Sequence, residues 1–359
     1  MKILLVQLGS NGDCLFVTTI AKQIKEIDYP GCKLTWMIGS NCSHIIENNH
    51  FIDEKIIIPI KDINDLWYKR NHINDTIQEE TINYNFDKIF ITDFTKENSK
   101  LRFGTTRSTL YRCYNHKITI SPEPLVFLNK QEIENVYNFC YKNLIIKDGN
   151  NILFECSPQS GQSNISLEKA IKISELVLSN KNDLKIILSS NIKFTHSNKN
   201  IIDASVLSIR ENAELVNYCN LMIGCSSGLT WLATSNWSKK IPMIQLISPH
   251  FKNGIIPASV KTDFEYLGLP LNSIIELYDP NDKLISECII SVYQYGFNFS
   301  RKLFDQYSFK MFKNNRLLFE SKISFFKKIY IFILINIFNK KYNLKKLISF
   351  FKYILKLKK

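Results

Sequence analysis

Three times along this chain a short apolar run closes in a loop of small polar residues and then passes into a helical pattern. Residues 2–8 end in Gly9-Ser10-Asn11-Gly12-Asp13. Asn151–Glu155 end in the polar loop Cys156–Asn164. Leu221–Ile223 end in Gly224-Cys225-Ser226-Ser227-Gly228. Runs that are apolar at successive positions, rather than at alternate ones, fit strands covered on both faces. Such strands need helices on both sides of a parallel sheet, so the repeat selects an α/β architecture and disfavours sandwiches and bundles.

The remaining punctuation agrees with this reading. Helical spacing is expected over 14–27, 43–47, 130–145, 166–179, 211–219 and 229–234. Further strands are expected at 34–38, 55–60, 88–92, 184–188 and 241–247. The pattern restarts after Asp148-Gly149-Asn150, which sets two tandem domains, 1–148 and 149–312, followed by a tail, 313–359. Residues 1–9 have too short an apolar stretch, interrupted by Gln7, for a leader peptide, and read as a buried first strand.

Charge separates the tail from the rest. The net charge of the 359 residues is +13. Residues 313–359 hold 13 Lys and Arg against one acid, Glu320, whereas 1–312 hold 33 against 32. A nearly neutral body offers no basic face for nucleic acid, so none is expected as a partner. The nine cysteines are odd in number, form no CxxC pair and mostly have apolar neighbours, which suits reduced thiols in a cytoplasmic core. The six histidines form no close metal-ligand pair, and no metal site is expected.

Each of the three loops lies where an open α/β sheet collects ligands, at the carboxyl end of a strand. In the first, Gly9 and Gly12 give a ligand room beside the backbone, Ser10 and Asn11 add polar groups, and helix N–H groups favour an anion. Asp13 is placed either to accept a proton from a hydroxyl nucleophile or to cap the helix. In the second, Ser157, Ser160, Gly161, Gln162 and Ser163 could hold phosphate oxygens through hydroxyls, amides and backbone N–H groups; an ordinary loop capped by Ser166 is the alternative. The third, with Ser226, Ser227, Gly228 and Thr230, shares the letters GxSxG with a serine-hydrolase elbow, but only His250 follows it and no acid partner is evident.

Taken together, the loops resemble glycosyltransferase family 9, the ADP-heptose:lipopolysaccharide heptosyltransferases. Gly12-Asp13-Cys14-Leu15 with Thr18-Thr19 resembles the opening motif of that family. Lys33–Gly39 is similar to its second strand, and Asn48–Ile56 to the approach to its third. Glu211–Gly224, Ser227-Gly228 and Leu232-Ala233 are similar to the donor-site region. The family's donor-motif Asp falls on Ser226 and its His on Trp231.

The resemblance implies a GT-B fold: two Rossmann-like domains facing a central cleft. It also implies an inverting, metal-independent transfer needing no cofactor, with a nucleotide-diphosphate-sugar as co-substrate. Asp13 would be the general base toward a glycan or lipopolysaccharide-type acceptor, with Gly9, Ser10, Asn11 and Gly12 on the acceptor side. Ser157, Ser160, Gly161, Gln162, Ser163, Ser226, Ser227, Gly228 and Thr230 would hold the donor. A non-catalytic module that binds a glycan or nucleotide is the alternative.

The tail contains an apolar run, Ile329–Asn339, flanked by Lys327-Lys328 and Lys340-Lys341, then a basic amphipathic segment, Leu347–Lys359. As a helix the run would span about 16 Å against about 30 Å of hydrocarbon, too short to cross. Apolar rings beside lysines suit an amphipathic helical anchor on anionic lipid. The chain is therefore expected at the inner face of the cytoplasmic membrane as a peripheral protein.

Overall fold

The computed structural model describes residues 1–101, 106–158, 162–248 and 259–309. The expected tail, 313–359, and Ser160 and Gly161 lie outside the described residues.

The first half contains β1 (Lys2–Val6), α1 (Asn11–Gln23), β2 (Lys33–Gly39), β3 (Glu54–Ile58), α2 (Ile63–Asn71), α3 (Ile73–Glu80), β4 (Lys88–Ile91), α4 (Thr106–Tyr114) and α5 (Lys130–Lys142). The second contains β5 (Asn151–Glu155), α6 (Leu167–Leu178), β6 (Lys185–Ser189), β7 (Ile201–Asp203), α7 (Glu211–Leu215), β8 (Leu221–Gly224) and α8 (Gly228–Leu232). It continues through β9 (Met243–Ile247), α9 (Val260–Leu267), β10 (Ile274–Tyr278), α10 (Asp282–Tyr295) and α11 (Phe297–Phe304).

Every pairing in both sheets is parallel. The first sheet has the order β3-β2-β1-β4, and the second β10-β9-β8-β5-β6-β7. The second is the six-stranded Rossmann order, and the first is its leading four strands. Each sheet reverses its winding beside its first strand: between β1 and β4, and between β5 and β8. The three loops singled out by sequence follow β1, β5 and β8, at these reversals.

Burial explains why the apolar runs are continuous. Ile3, Leu4, Leu5 and Val6 are fully buried, with Ile3 and Leu5 facing one core and Leu4 and Val6 another. Side chains on opposite faces of β1 thus each meet a helical layer. One core runs through both halves. Phe16 of α1 meets Trp231 of α8 edge-on at 4.6 Å, and Trp231 meets Phe264 of α9 at 5.9 Å. Arg210 adds a polar tie: its guanidinium reaches both Glu132 oxygens, at 2.7 and 3.1 Å, and the carbonyls of Ile45, Glu47 and Phe127.

The local expectations hold with shifted ends. The first helix starts at Asn11 because Ser10 is extended and serves as N-cap, and a π turn, Ile24–Asp28, closes it. Ser166 caps α6 by accepting from the Lys169 amide at 3.3 Å. The polar stretch 61–86, which carried no clear periodicity, holds α2 and α3, with the Asp62 carboxylate capping the first of them. Strands β7 and β10 were not anticipated. The first is only three residues long, and the second carries a buried glutamate, Glu276, that interrupts its apolar run.

All nine cysteines are free and buried. Among the described residues no helix is long and apolar enough to cross a membrane, and no group of His, Cys, Asp and Glu is arranged to hold a metal ion.

Candidate active site

Asp13 lies at the third position of α1, where its carboxylate reaches back to accept the Ser10 amide at 3.0 Å. The N-cap position belongs to Ser10 and not to Asp13, which supplies the acidic half of a capping box from inside the helix. Among the described residues, that bond leaves one carboxylate oxygen uncommitted, and the side chain keeps 13% of its surface exposed. Burial pushes the Asp13 pKa up, and the guanidinium groups of Arg70 and then Arg107 act in the opposite sense. Asp93 adds a smaller upward push.

Arg70 and Asp93 form the floor beneath it. Arg70 projects from α2 and is buried. Its Nε lies 2.7 Å from Asp93 Oδ1, and its Nη2 lies 3.8 Å from Asp13 Oδ2 and donates to the Gly9 carbonyl. The Trp67 ring lies 4.9 Å from the guanidinium carbon. Asp93 follows β4 and accepts the Leu8 amide at 2.7 Å and its neighbour Phe94's at 2.8 Å. Three separate segments therefore converge on the loop after β1. Removing either charge would strand the other in a dry site, which typically costs about 3–5 kcal/mol.

Arg107 joins this cluster to the second domain. Its Nη2 donates to the Ser226 carbonyl at 2.7 Å, and its Nη1 lies 3.4 Å from Ser226 Oγ and 3.8 Å from Asp263 Oδ2. The guanidinium stands over the Trp231 ring at 5.2 Å. Ser226 has φ = +53°, a left-handed conformation uncommon outside glycine. The bonds that hold it there come from three sides: Arg107 at its carbonyl, Gln245 Oε1 accepting its amide at 3.1 Å, and the neighbouring Cys225 and Ser227 tied to Glu155.

Glu155 ends β5 and is buried. It accepts the Cys225 amide at 2.9 Å and the Ser227 hydroxyl, and burial raises its pKa to about 7. Thr230 Oγ1 donates to Gln245 Oε1 at 3.1 Å. The hydroxyls of Ser226, Ser227 and Thr230 thus all have partners within the protein.

Gly12 and Gly228 are in mutual contact across the domains. Gly9 packs on Cys42 and Leu66, and Ser10 is exposed. Asn11 lies against Gly228, with a buried Oδ1 that has no partner among the described residues. Ser157 Oγ pairs with Ser190 Oγ at 3.0 Å. The Gln162 carbonyl accepts the Ser248 amide at 2.9 Å, while its side-chain Oε1 is buried without a partner among the described residues. Ser163 lines a small recess with Lys169, Ser248 and Asp279, past the ends of β9 and β10.

Sequence reasoning did not name Arg70, Asp93, Arg107 or Gln245 as site residues, and took Glu155 only as the strand end that opens the second loop. Two signals for them were present. Asp93 and Glu155 stand at or just past the ends of strands that flank a winding reversal. Arginine is scarce in this lysine-rich chain, seven residues in all, and three of the five described ones (Arg70, Arg107 and Arg210) are buried. A planar fork that donates to several acceptors at once is something lysine cannot replace.

Comparison with known proteins bears on the fold. No protein-family model matches the sequence, and no curated protein matches it. Among solved structures, a family 9 glycosyl transferase from Veillonella parvula DSM 2008 superposes with a TM-score of 0.54 at 13% identity, over 85% of this chain and 95% of that one. The E. coli ADP-heptose lps heptosyltransferase II gives 0.52 at 12% identity, over 84% and 99%. The E. coli heptosyltransferase WaaC with ADP gives 0.50 at 12% identity, over 83% and 99%. The chain has the two-domain GT-B fold of these proteins.

Proposed function

We propose that this chain is an inverting glycosyltransferase of the family 9 type. It would move a heptose or another hexose-type sugar from a nucleotide-diphosphate-sugar to a glycan or lipopolysaccharide-type acceptor. The observation that carries this reading is the setting of Asp13. It is a partly open carboxylate at a sheet reversal, braced by Arg70 and the Ser10 amide, at the side where α1 meets α8 of the second domain. A related solved structure with this fold is named as a heptosyltransferase with ADP.

In this mechanism the acceptor hydroxyl gives its proton to Asp13 as its oxygen bonds to the anomeric carbon. The bond from that carbon to the diphosphate oxygen breaks, and the nucleoside diphosphate leaves with the electron pair. Configuration inverts because attack and departure are on opposite faces. The donor would lie at the carboxyl ends of β5 and β8, over loops 157–164 and 224–230, where strand ends and backbone N–H groups favour an anion. No metal or cofactor takes part. The basic tail, 313–359, would hold the protein on the inner face of the cytoplasmic membrane, beside a lipid-linked acceptor.

A second reading, a non-catalytic GT-B module that binds a glycan or nucleotide, is favoured by one observation: the hydroxyls of Ser226, Ser227 and Thr230 are all committed inside the protein. One screen separates the two. The full chain is incubated with a panel of nucleotide-diphosphate-sugars and membrane glycolipid extract, and released nucleoside diphosphate is measured with EDTA present. Release with one donor supports transfer. A thermal shift with a nucleotide but no release from any donor supports the binding module.

A further inference from the structure

At the junction of α10 and α11 an aromatic and aliphatic stripe is exposed. Tyr295, the last residue of α10, and Phe299 and Leu303 of α11 are 58%, 53% and 47% exposed, and the Tyr295 and Phe299 ring centroids are 5.4 Å apart. Phe299 and Leu303 are about one helical turn apart and share a side of α11. The adjoining side is fixed to the body: Ser300 is buried and its hydroxyl pairs with Ser291 at 2.7 Å, and Phe304 is in the core. That packing sets the rotation of α11 and keeps Phe299 and Leu303 outward.

Basic side chains stand beside the stripe. Lys302 is exposed on the same side, and Arg301 is half-buried next to it. The acid that follows, Asp305, pairs with Lys261 at 2.6 Å. The chain then passes to Phe309, packed on Tyr278 with ring centroids 5.2 Å apart. Residues 310–359 follow from this point, and they contain nearly all of the excess positive charge and the apolar run Ile329–Asn339.

We propose that this side of α11 is the surface by which the folded body rests on an anionic phospholipid bilayer. The proposal rests on the membrane reading of the tail given above, and it adds which side of the body faces the lipid. Tyrosine and phenylalanine settle at the depth of the headgroups, where the ring is apolar and the hydroxyl stays wet. Lysine beside them reaches lipid phosphate while its stem lies along the apolar stripe. In sequence, α11 lies directly ahead of the residues that carry nearly all of the excess positive charge.

The test uses the full chain with Phe299→Trp, with Val206→Trp as the control. Val206 follows β7 and is 66% exposed, and no other exposed large apolar side chain stands beside it in sequence. Each is mixed with vesicles of phosphatidylcholine and phosphatidylglycerol whose acyl chains are brominated. The expected result is co-sedimentation of both, with bromine quenching fluorescence added at position 299 and not at 206. A Tyr295→Ser/Phe299→Ser/Leu303→Ser variant should bind vesicles about tenfold more weakly or worse, with an unchanged melting profile. Co-sedimentation without quenching at 299 overturns the α11 assignment and leaves the membrane reading standing. No co-sedimentation of the unaltered chain overturns both. A lipid-free dimer that Phe299→Ser dissociates would assign the stripe to a second copy instead, and the proposal would fall.

Discussion

Gly12 and Gly228 stand against each other across the two domains. A Cβ on Gly228 would come within 3.2 Å of the Gly12 amide nitrogen, and one on Gly12 within 3.3 Å of Gly228 Cα. The close approach that glycine permits here is taken up by the opposite domain, at the first turns of α1 and α8. Both neighbours are backbone and cannot turn aside. Gly228→Ala should therefore push the helix starts apart and cost about 1–3 kcal/mol, as over-packing does. Urea denaturation of the two proteins checks this. An unchanged midpoint would mean that the domains are not held this closely in solution.

The setting of Asp13 makes a pH prediction. A general base works as the carboxylate, so turnover should fall as pH drops through the Asp13 pKa. Burial raises that pKa, and Arg70 and Arg107 oppose the rise. Arg107→Gln removes one opposing charge, so the acid limb of kcat/KM should move to higher pH. Each unit of displacement is a tenfold loss at a fixed pH on that limb. Arg107→Lys keeps the charge but gives up the paired contact with Ser226, so its acid limb should stay near the original one. Equal displacement in both variants would show that geometry, not charge, carries the effect.

Glu155 gives a stability prediction of opposite sign to the ordinary carboxylate. Its folded pKa, about 7, is above its usual value of 4.5. The stability it contributes is present below the unfolded pKa and is lost as pH rises toward about 7. Glu155→Gln cannot ionise, so relative to the unaltered protein it should gain stability between about pH 4.5 and 7, on the order of 3 kcal/mol over the whole window. The comparison must be a difference, because Glu276, also raised to about 7, titrates in the same window in both proteins. Denaturation at pH 5 and pH 8 reads it directly. A pH-independent gap would show that Glu155 is not ionising in that range.

Much of this frame is legible in the sequence, for a definite reason. Strands such as Ile3–Val6 are buried on both faces, so burial writes itself as a continuous apolar run, and the loop after each run is visible by contrast. Strand β10 is not legible because Glu276 breaks its run, and that glutamate is accommodated by groups from the start of α9: the Ser259 hydroxyl donates to it at 2.9 Å and the Lys261 amide at 3.2 Å. The site divides in the same way. Asp13 is visible because it is local to the first loop. Arg70 and Arg107 are not, because each gains its role from partners far off in sequence: Asp93, Ser226 and Asp263. Similarly, the glycine-rich loops read as ligand cradles, and only the packing of α1 on α8 shows that two of those glycines meet each other.

Asp13→Asn tests the proposed chemistry with the least disturbance. The amide has nearly the same shape, and its oxygen can still accept the Ser10 amide, so α1 keeps its cap. What is lost is the capacity to take a proton from the acceptor hydroxyl. Positioned proton transfer contributes typically 10²–10⁴-fold, so kcat should fall by about that factor. Nucleotide affinity should change little, because the donor is assigned to loops of the other domain. Arg70 and Asp93 remain paired at 2.7 Å, so the floor of the site should survive. The measurement is sugar transfer and nucleotide binding on the same preparations. Turnover within a few-fold of the unaltered protein would remove Asp13 as the base. A parallel loss of nucleotide binding would show that the substitution had disturbed the cleft rather than the proton transfer.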